Sequence, residues 1–126
     1  MTGFVGNIEE KTLTNNNFRQ VLFTGVNSQL VVMNLRPGEE IGMEVHPNVD
    51  QFFRFEQGEG KVIINSEESV VGNGSAVVVP AGAQHNIINT STEKELKLYT
   101  IYSPPNHPDG TIHATKTEAM AAEEHE

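Results

Sequence analysis

Short runs rich in Val, Ile, Phe and Tyr alternate along most of the chain with clusters of Gly, Pro and Asn. Such runs with turn residues between them predict strands over 19–24, 29–35, 42–46, 51–56, 61–65, 75–79, 85–89 and 96–102. Pro37-Gly38, Gly58-Glu59-Gly60, Asn73-Gly74 and Pro80-Ala81-Gly82 are the clearest turn signals. Strands this short and this many predict an all-β fold, a sandwich or a small antiparallel barrel such as a jelly roll. Met33, Leu35, Phe53, Phe55, Val77, Val79, Ile87 and Leu98 are the expected core. Both ends depart from the pattern. Residues 1–17 lack strong periodicity and are expected to be loose or to pack on a partner subunit. Residues 103–110 form a Pro-rich, extended loop. After it, Thr115-Lys116-Thr117-Glu118 has the form of a capping box, which predicts a short helix over 116–124. The organisation read from this is an N-terminal segment (1–17), a barrel domain (18–104) and a loop with an acidic helical tail (105–126).

Composition narrows the chemistry. A chain of 126 residues fits one domain with a single core. The absence of cysteine excludes disulfides, thiolate metal sites, iron–sulfur clusters and a cysteine nucleophile. A net charge of −9 without a basic cluster argues against nucleic-acid binding. Part of the excess is the tail, with Glu118, Glu123, Glu124 and Glu126, read as a solubilising end. No run is long and apolar enough for a membrane span or a secretory signal, so a cytoplasmic location is expected.

The donor side chains that remain gather in two glycine-framed segments, 38–58 and 74–89. Glu44 and His46 are two apart and share one face of a strand. Gln51 is in phase with Phe53 and Phe55, so an inward apolar face carries Gln51 inward too, across a hairpin from Glu44 and His46. His85 opens a later strand, and spacing alone does not bring it to the other three. Two imidazoles, one carboxylate and one amide suit a divalent transition metal. Taken singly, His46 reads as a turn histidine, His85 as a half-buried polar residue and Gln51 as an ordinary strand residue. His107 and His113 read as loop residues, with the alternative that one of them reaches the barrel mouth, His125 as solvent-exposed, and Arg54 as a partner in a surface or subunit ion pair.

The joint spacing resembles that of the cupin family. That family's first motif is written G(X)5HXH(X)3–4E(X)6G, and Gly38, Glu44, His46, Gln51 and Gly58 occupy its positions. The second is written G(X)5PXG(X)2H(X)3N, and Gly74, Pro80, Gly82, His85 and Asn89 match it completely. Two ligand positions depart, Glu44 for the usual His and Gln51 for the usual Glu, so the carboxylate has moved from 51 to 44. The resemblance implies a double-stranded β-helix with Glu44, His46, Gln51 and His85 as metal ligands in one mouth of the barrel. The ion would be Mn, Fe, Zn or Ni, with Gln51 a weak ligand or yielding its place to water or substrate, and Glu44 a general base if it is not a ligand. Two functions are compatible with this site. One is a metal-dependent enzyme of isomerase, decarboxylase or dioxygenase type acting on a small polar metabolite. The other is a non-catalytic binding or sensing module, with or without metal. Small cupins usually pair, so a homodimer is expected, with Phe52, Tyr99 and Ile101 facing a partner sheet or, alternatively, the N-terminal segment.

Overall fold

The protein is described here over residues 3–124 of a computed structural model. The elements run α1 (Ile8–Thr14), β1 (Arg19–Thr24), β2 (Gln29–Leu35), β3 (Glu44–Val45), β4 (Asp50–Gln57), β5 (Gly60–Ile64), β6 (Glu67–Val71), β7 (Ala76–Val79), β8 (Gln84–Asn89), β9 (Leu96–Ser103), β10 (Ile112–His113) and α2 (Lys116–Glu124). Two antiparallel sheets face each other, one ordered β10-β1-β2-β9-β4-β7 and the other β3-β8-β5-β6. This is the jelly-roll, double-stranded β-helix arrangement, with a short C-terminal helix. No described helix is long and apolar enough to cross a membrane.

Each expected strand is present. The third shrinks to Glu44–Val45, because Gly42 N–H turns to Asn86 Oδ1 (2.9 Å) instead of a ladder partner. Three elements are additional. α1 is capped by Asn7, whose Oδ1 accepts from Glu10 N–H at 3.0 Å. It packs over the outer face of β2, β4 and β9, so the N-terminal segment is not loose. Lys97 reaches out of β9 beneath it, and its ammonium donates to the Asn15 carbonyl and to Asn16 Oδ1. β6 forms a hairpin with β5 through Asn65 and Ser66, both at positive φ as a tight two-residue turn requires. β10 adds an edge to β1. At α2 the expected capping box is made: Glu118 N–H donates to Thr115 Oγ1 (3.2 Å), and Glu118 Oε2 accepts from Thr115 N–H (3.2 Å). His125, expected at the surface, lies outside the described residues.

The barrel interior changes character from one end to the other. Directly paired residues share a face, so the registers define inward rows. Gln29, Tyr102, Gln51 and Val79 form the row at one mouth. Val31, Thr100, Phe53 and Val77 form the next, followed by Met33, Leu98 and Phe55. Phe53, Phe55, Met33, Leu35, Ile87 and Leu98 are fully buried, and burying each such side chain contributes roughly 1.5–3 kcal/mol. The far end is closed by the last residue of the second motif: Asn89 Nδ2 donates to the carbonyls of Leu35 (3.0 Å), Arg36 (3.1 Å) and Lys94 (2.9 Å). Gly58 belongs to the same closure. It sits at φ +106°, and a Cβ there would lie 2.5 Å from the Glu95 carbonyl oxygen, so no other residue fits without moving the backbone. The polar row lies at the opposite end of the barrel, and its side chains are themselves buried.

Candidate functional site

Two strand pairs build the site from opposite sheets. Glu44 and His85 are directly opposed on β3 and β8. Gln51 is directly opposed to Tyr102 on β4 and β9. The expectation that Gln51 lies across a hairpin from Glu44 and His46 is therefore corrected: β3 pairs with β8, and Gln51 belongs to the other sheet. What spacing left open is resolved, since His85 is the cross-strand neighbour of Glu44. His46, just past β3, is held by the second motif's turn. Gly82, at φ +86°, donates its N–H to the His46 carbonyl (2.9 Å), while Ala81 N–H is held by Asp50 Oδ1 (2.8 Å). The His46 and His85 ring centroids are 5.4 Å apart, and those of His46 and Tyr102 are 6.0 Å apart.

The polar atoms are unevenly satisfied. Gln51 is buried; its amide nitrogen donates to Thr100 Oγ1 (2.9 Å), while Oε1 has no hydrogen-bond partner. His46 Nε2 lies 3.3 Å from Glu44 Oε2, a contact that helps keep the Glu44 carboxyl ionised. His85 Nδ1 is 3.1 Å from the Ala83 carbonyl. The tautomer that uses this contact donates from Nδ1 and leaves an Nε2 lone pair, the arrangement that orients metal-ligating histidines. Burial pushes the Glu44 carboxyl up, but His46, Arg19 and His85 together outweigh it and hold the carboxyl below its ordinary value. Among the described residues, no three His, Asp or Glu side chains form a ready coordination cluster. The site thus offers a carboxylate, two imidazoles and an amide oxygen as separate donors, the amide oxygen buried with unused acceptor capacity.

Five residues at this mouth are not among the site residues expected from the sequence. Tyr102 closes the gap between Gln51 and Arg19, and burial pushes its phenol up to about 12, so it remains a proton donor at neutral pH. His107 and His113, expected to be loop residues, both reach the mouth. His107 Nε2 is 3.2 Å from the Tyr102 hydroxyl, with ring centroids 5.1 Å apart. His113 pairs with Arg19 across β10 and β1, and its Nδ1 is 3.5 Å from Arg19 Nη1. Arg19 itself is 2% exposed and lies close enough to act electrostatically on Glu44, Tyr102 and His107. Gln29 is what brings the Pro-rich loop here. Its amide nitrogen donates to the His107 carbonyl (2.8 Å), and its Oε1 accepts from the N–H groups of Asn106 (3.1 Å) and His107 (3.0 Å). Arg54, as expected, sits outside the mouth, its Nε 2.9 Å from Glu56 Oε1.

Comparison with known proteins places this architecture. The family model described as a cupin domain matches residues 31–102. The chain belongs to the cupin family. Among relatives of this cupin, the uncharacterized protein YrkC of Bacillus subtilis (strain 168) is 52% identical over 128 residues, spanning 96% of this chain and 68% of YrkC. The uncharacterized protein L612 of Acanthamoeba polyphaga mimivirus is 41% identical, spanning 92% of this chain and 74% of L612. The crystal structure of BH2720 from Bacillus halodurans superposes with a TM-score of 0.91 at 45% identity, over 94% of this cupin and 93% of that chain.

Proposed function

We propose that this cupin is a metal-dependent enzyme acting on a small, oxygen-rich metabolite, with His46, His85 and Glu44 as ligands of a divalent transition metal (Mn, Fe, Zn or Ni). The observation that carries the reading is the buried, unpartnered acceptor Gln51 Oε1 at a mouth shared with His46, Glu44 and His85. A buried acceptor without a partner costs about 1–3 kcal/mol, and a bound cation would remove that cost. Two imidazoles and a carboxylate are a competent set for these metals. When bound, such an ion polarises a carbonyl or hydroxyl oxygen, chemistry that serves isomerisation, decarboxylation or, with iron, dioxygenation.

The chain's own residues divide the remaining work. A general base performs best with a pKa near the working pH, and the Glu44 carboxyl is held below its ordinary value. That favours Glu44 as a permanent anionic ligand over Glu44 as a base. Thr100 fixes the Gln51 amide so that its oxygen, not its nitrogen, is free for the ion or for a ligand. Tyr102 holds a proton at its hydroxyl beside these groups. Elemental analysis of protein purified without added metal tests the reading: near-stoichiometric divalent ion is expected. Metal-free protein that gains no thermal stability from Mn, Fe, Zn or Ni would overturn it.

We further propose that the protein pairs as a homodimer through the outer face of the larger sheet. Val78 is 65% exposed there, beside the half-buried Phe52, Tyr99 and Ile101 that α1 leaves partly uncovered. Light scattering is expected to give twice the chain mass, and a monomer would remove the proposal.

A further inference from the structure

We infer that Arg19 is the anchor for a carboxylate, and that the ligand of the barrel mouth is a small monocarboxylate. The inference deepens the function proposed for the same mouth, but its physical basis is separate from any metal.

Arg19 is a guanidinium cation, 2% exposed, that forms no ion pair with a carboxylate among the described residues. Its Nε has no hydrogen-bond partner. Its Nη1 contact with His113 Nδ1, at 3.5 Å, is at the outer limit of a hydrogen bond, and its other near neighbours are uncharged: the Tyr102 hydroxyl and the Phe18 ring, 5.3 Å from Cζ to centroid. Burying a guanidinium without an anion is among the costliest arrangements a fold can hold, and such groups are ordinarily paired. A ligand carboxylate satisfies this one, because the planar fork matches the two oxygens of a carboxylate.

The surroundings define the class. The mouth row contributes only uncharged side chains around Arg19, from Gln29, Tyr102 and Gln51. The remaining buried cation, Lys97, points the other way, to the carbonyl of Asn15. Among the described residues Arg19 is therefore the buried cation at this mouth, and the nearby Glu44 carboxylate repels additional negative charge. That suits a single carboxylate and disfavours a phosphate dianion or a polyphosphate. Arg19 also lies within electrostatic range of Glu44, Tyr102 and His107, so an anion held by it sits among the same donors that serve the proposed chemistry.

The test uses glycolate, its uncharged amide glycolamide, and inorganic phosphate as probes. Each is titrated by calorimetry against wild type, Arg19→Gln and Arg19→Lys, with manganese present and again after chelation. Wild type is expected to bind glycolate and not glycolamide. Arg19→Gln is expected to weaken glycolate by at least about tenfold, the loss of one charge-assisted hydrogen bond, while leaving manganese content unchanged. If Arg19→Gln does not fold, Arg19→Lys decides, because it keeps the charge, loses the fork and is expected to bind glycolate more weakly than wild type. Equal glycolate binding by wild type and variant overturns the inference. So does wild type that ignores glycolate, binds glycolamide equally well or prefers phosphate. Glycolate binding that persists after chelation and still requires Arg19 upholds the carboxylate anchor even if metal content disproves the metalloenzyme. Manganese binding without glycolate binding does the reverse.

Discussion

His46→Ala and His85→Ala are each expected to leave the purified protein without its divalent ion. The two histidines enter the site from independent supports. His46 is fixed through its backbone by Gly82, and His85 through its ring by the Ala83 carbonyl. Removing either leaves one imidazole with Glu44 and an amide, a weak set for a transition metal. Loss of an outer-shell partner alone costs about 10–100-fold in metal affinity, so loss of a ligand is expected to exceed about 100-fold. The barrel should survive, because Phe53, Phe55, Ile87 and Leu98 form its core without either imidazole. Circular dichroism is expected to match wild type, while the stabilisation from bound metal, about 2.7 kcal/mol at a hundredfold excess over the dissociation constant, disappears. His107→Gln serves as the comparison and should retain the ion. Wild-type metal content in His46→Ala or His85→Ala would defeat the ligand assignment.

The second large effect is expected in acid. Burial pushes the His107 imidazole down to about 3, helped by the cation of Arg19 and by His113 and His46, and opposed by Glu44. In the unfolded chain the same ring titrates at its ordinary 6.5. Between these values the unfolded state binds a proton that the folded state refuses, so folding stability falls as pH falls through this window. The slope from this group approaches about 1.4 kcal/mol per pH unit. Glu44 acts in the same direction at lower pH: its carboxyl is depressed in the fold, so its contribution is present above the unfolded value and is lost as pH drops through the folded one. Chemical denaturation at pH 7 and pH 5 is expected to show a marked loss for wild type and a smaller one for His107→Gln. Equal losses in the two proteins would show that His107 is not the group responsible.

The barrel was legible in the sequence because its information is local. Alternation put Phe53, Phe55 and Gln51 on one face, and glycine spacing framed Glu44, His46 and His85. The capping box at Thr115 and Glu118 is likewise contained within one turn. β6 was missed because Glu67, Glu68, Ser69 and Val70 are all exposed on an edge, so no apolar alternation marks them. The usable signal was the Asn65-Ser66 turn. α1 was missed because seven residues give little periodicity, although Asn7 three residues before Glu10 is a helix-start signature. Arg19 and His107 were illegible for a different reason. An arginine opening a strand looks solvated until two sheets close over it. His107 reaches the mouth through Gln29, seventy-eight residues away in sequence, and no local pattern encodes that contact.

The stretch that matches the cupin domain, 31–102, contains Glu44, His46, Gln51, His85 and Tyr102. Arg19, His107 and His113 fall outside it, yet they are brought to the same mouth by β1, β10 and the loop that Gln29 grips. The division separates the donor set from the groups that flank it. A lineage could keep the donor set unaltered and change its preferred ligand by rewriting two flanking strands and one loop. Those changes would leave both family motifs untouched.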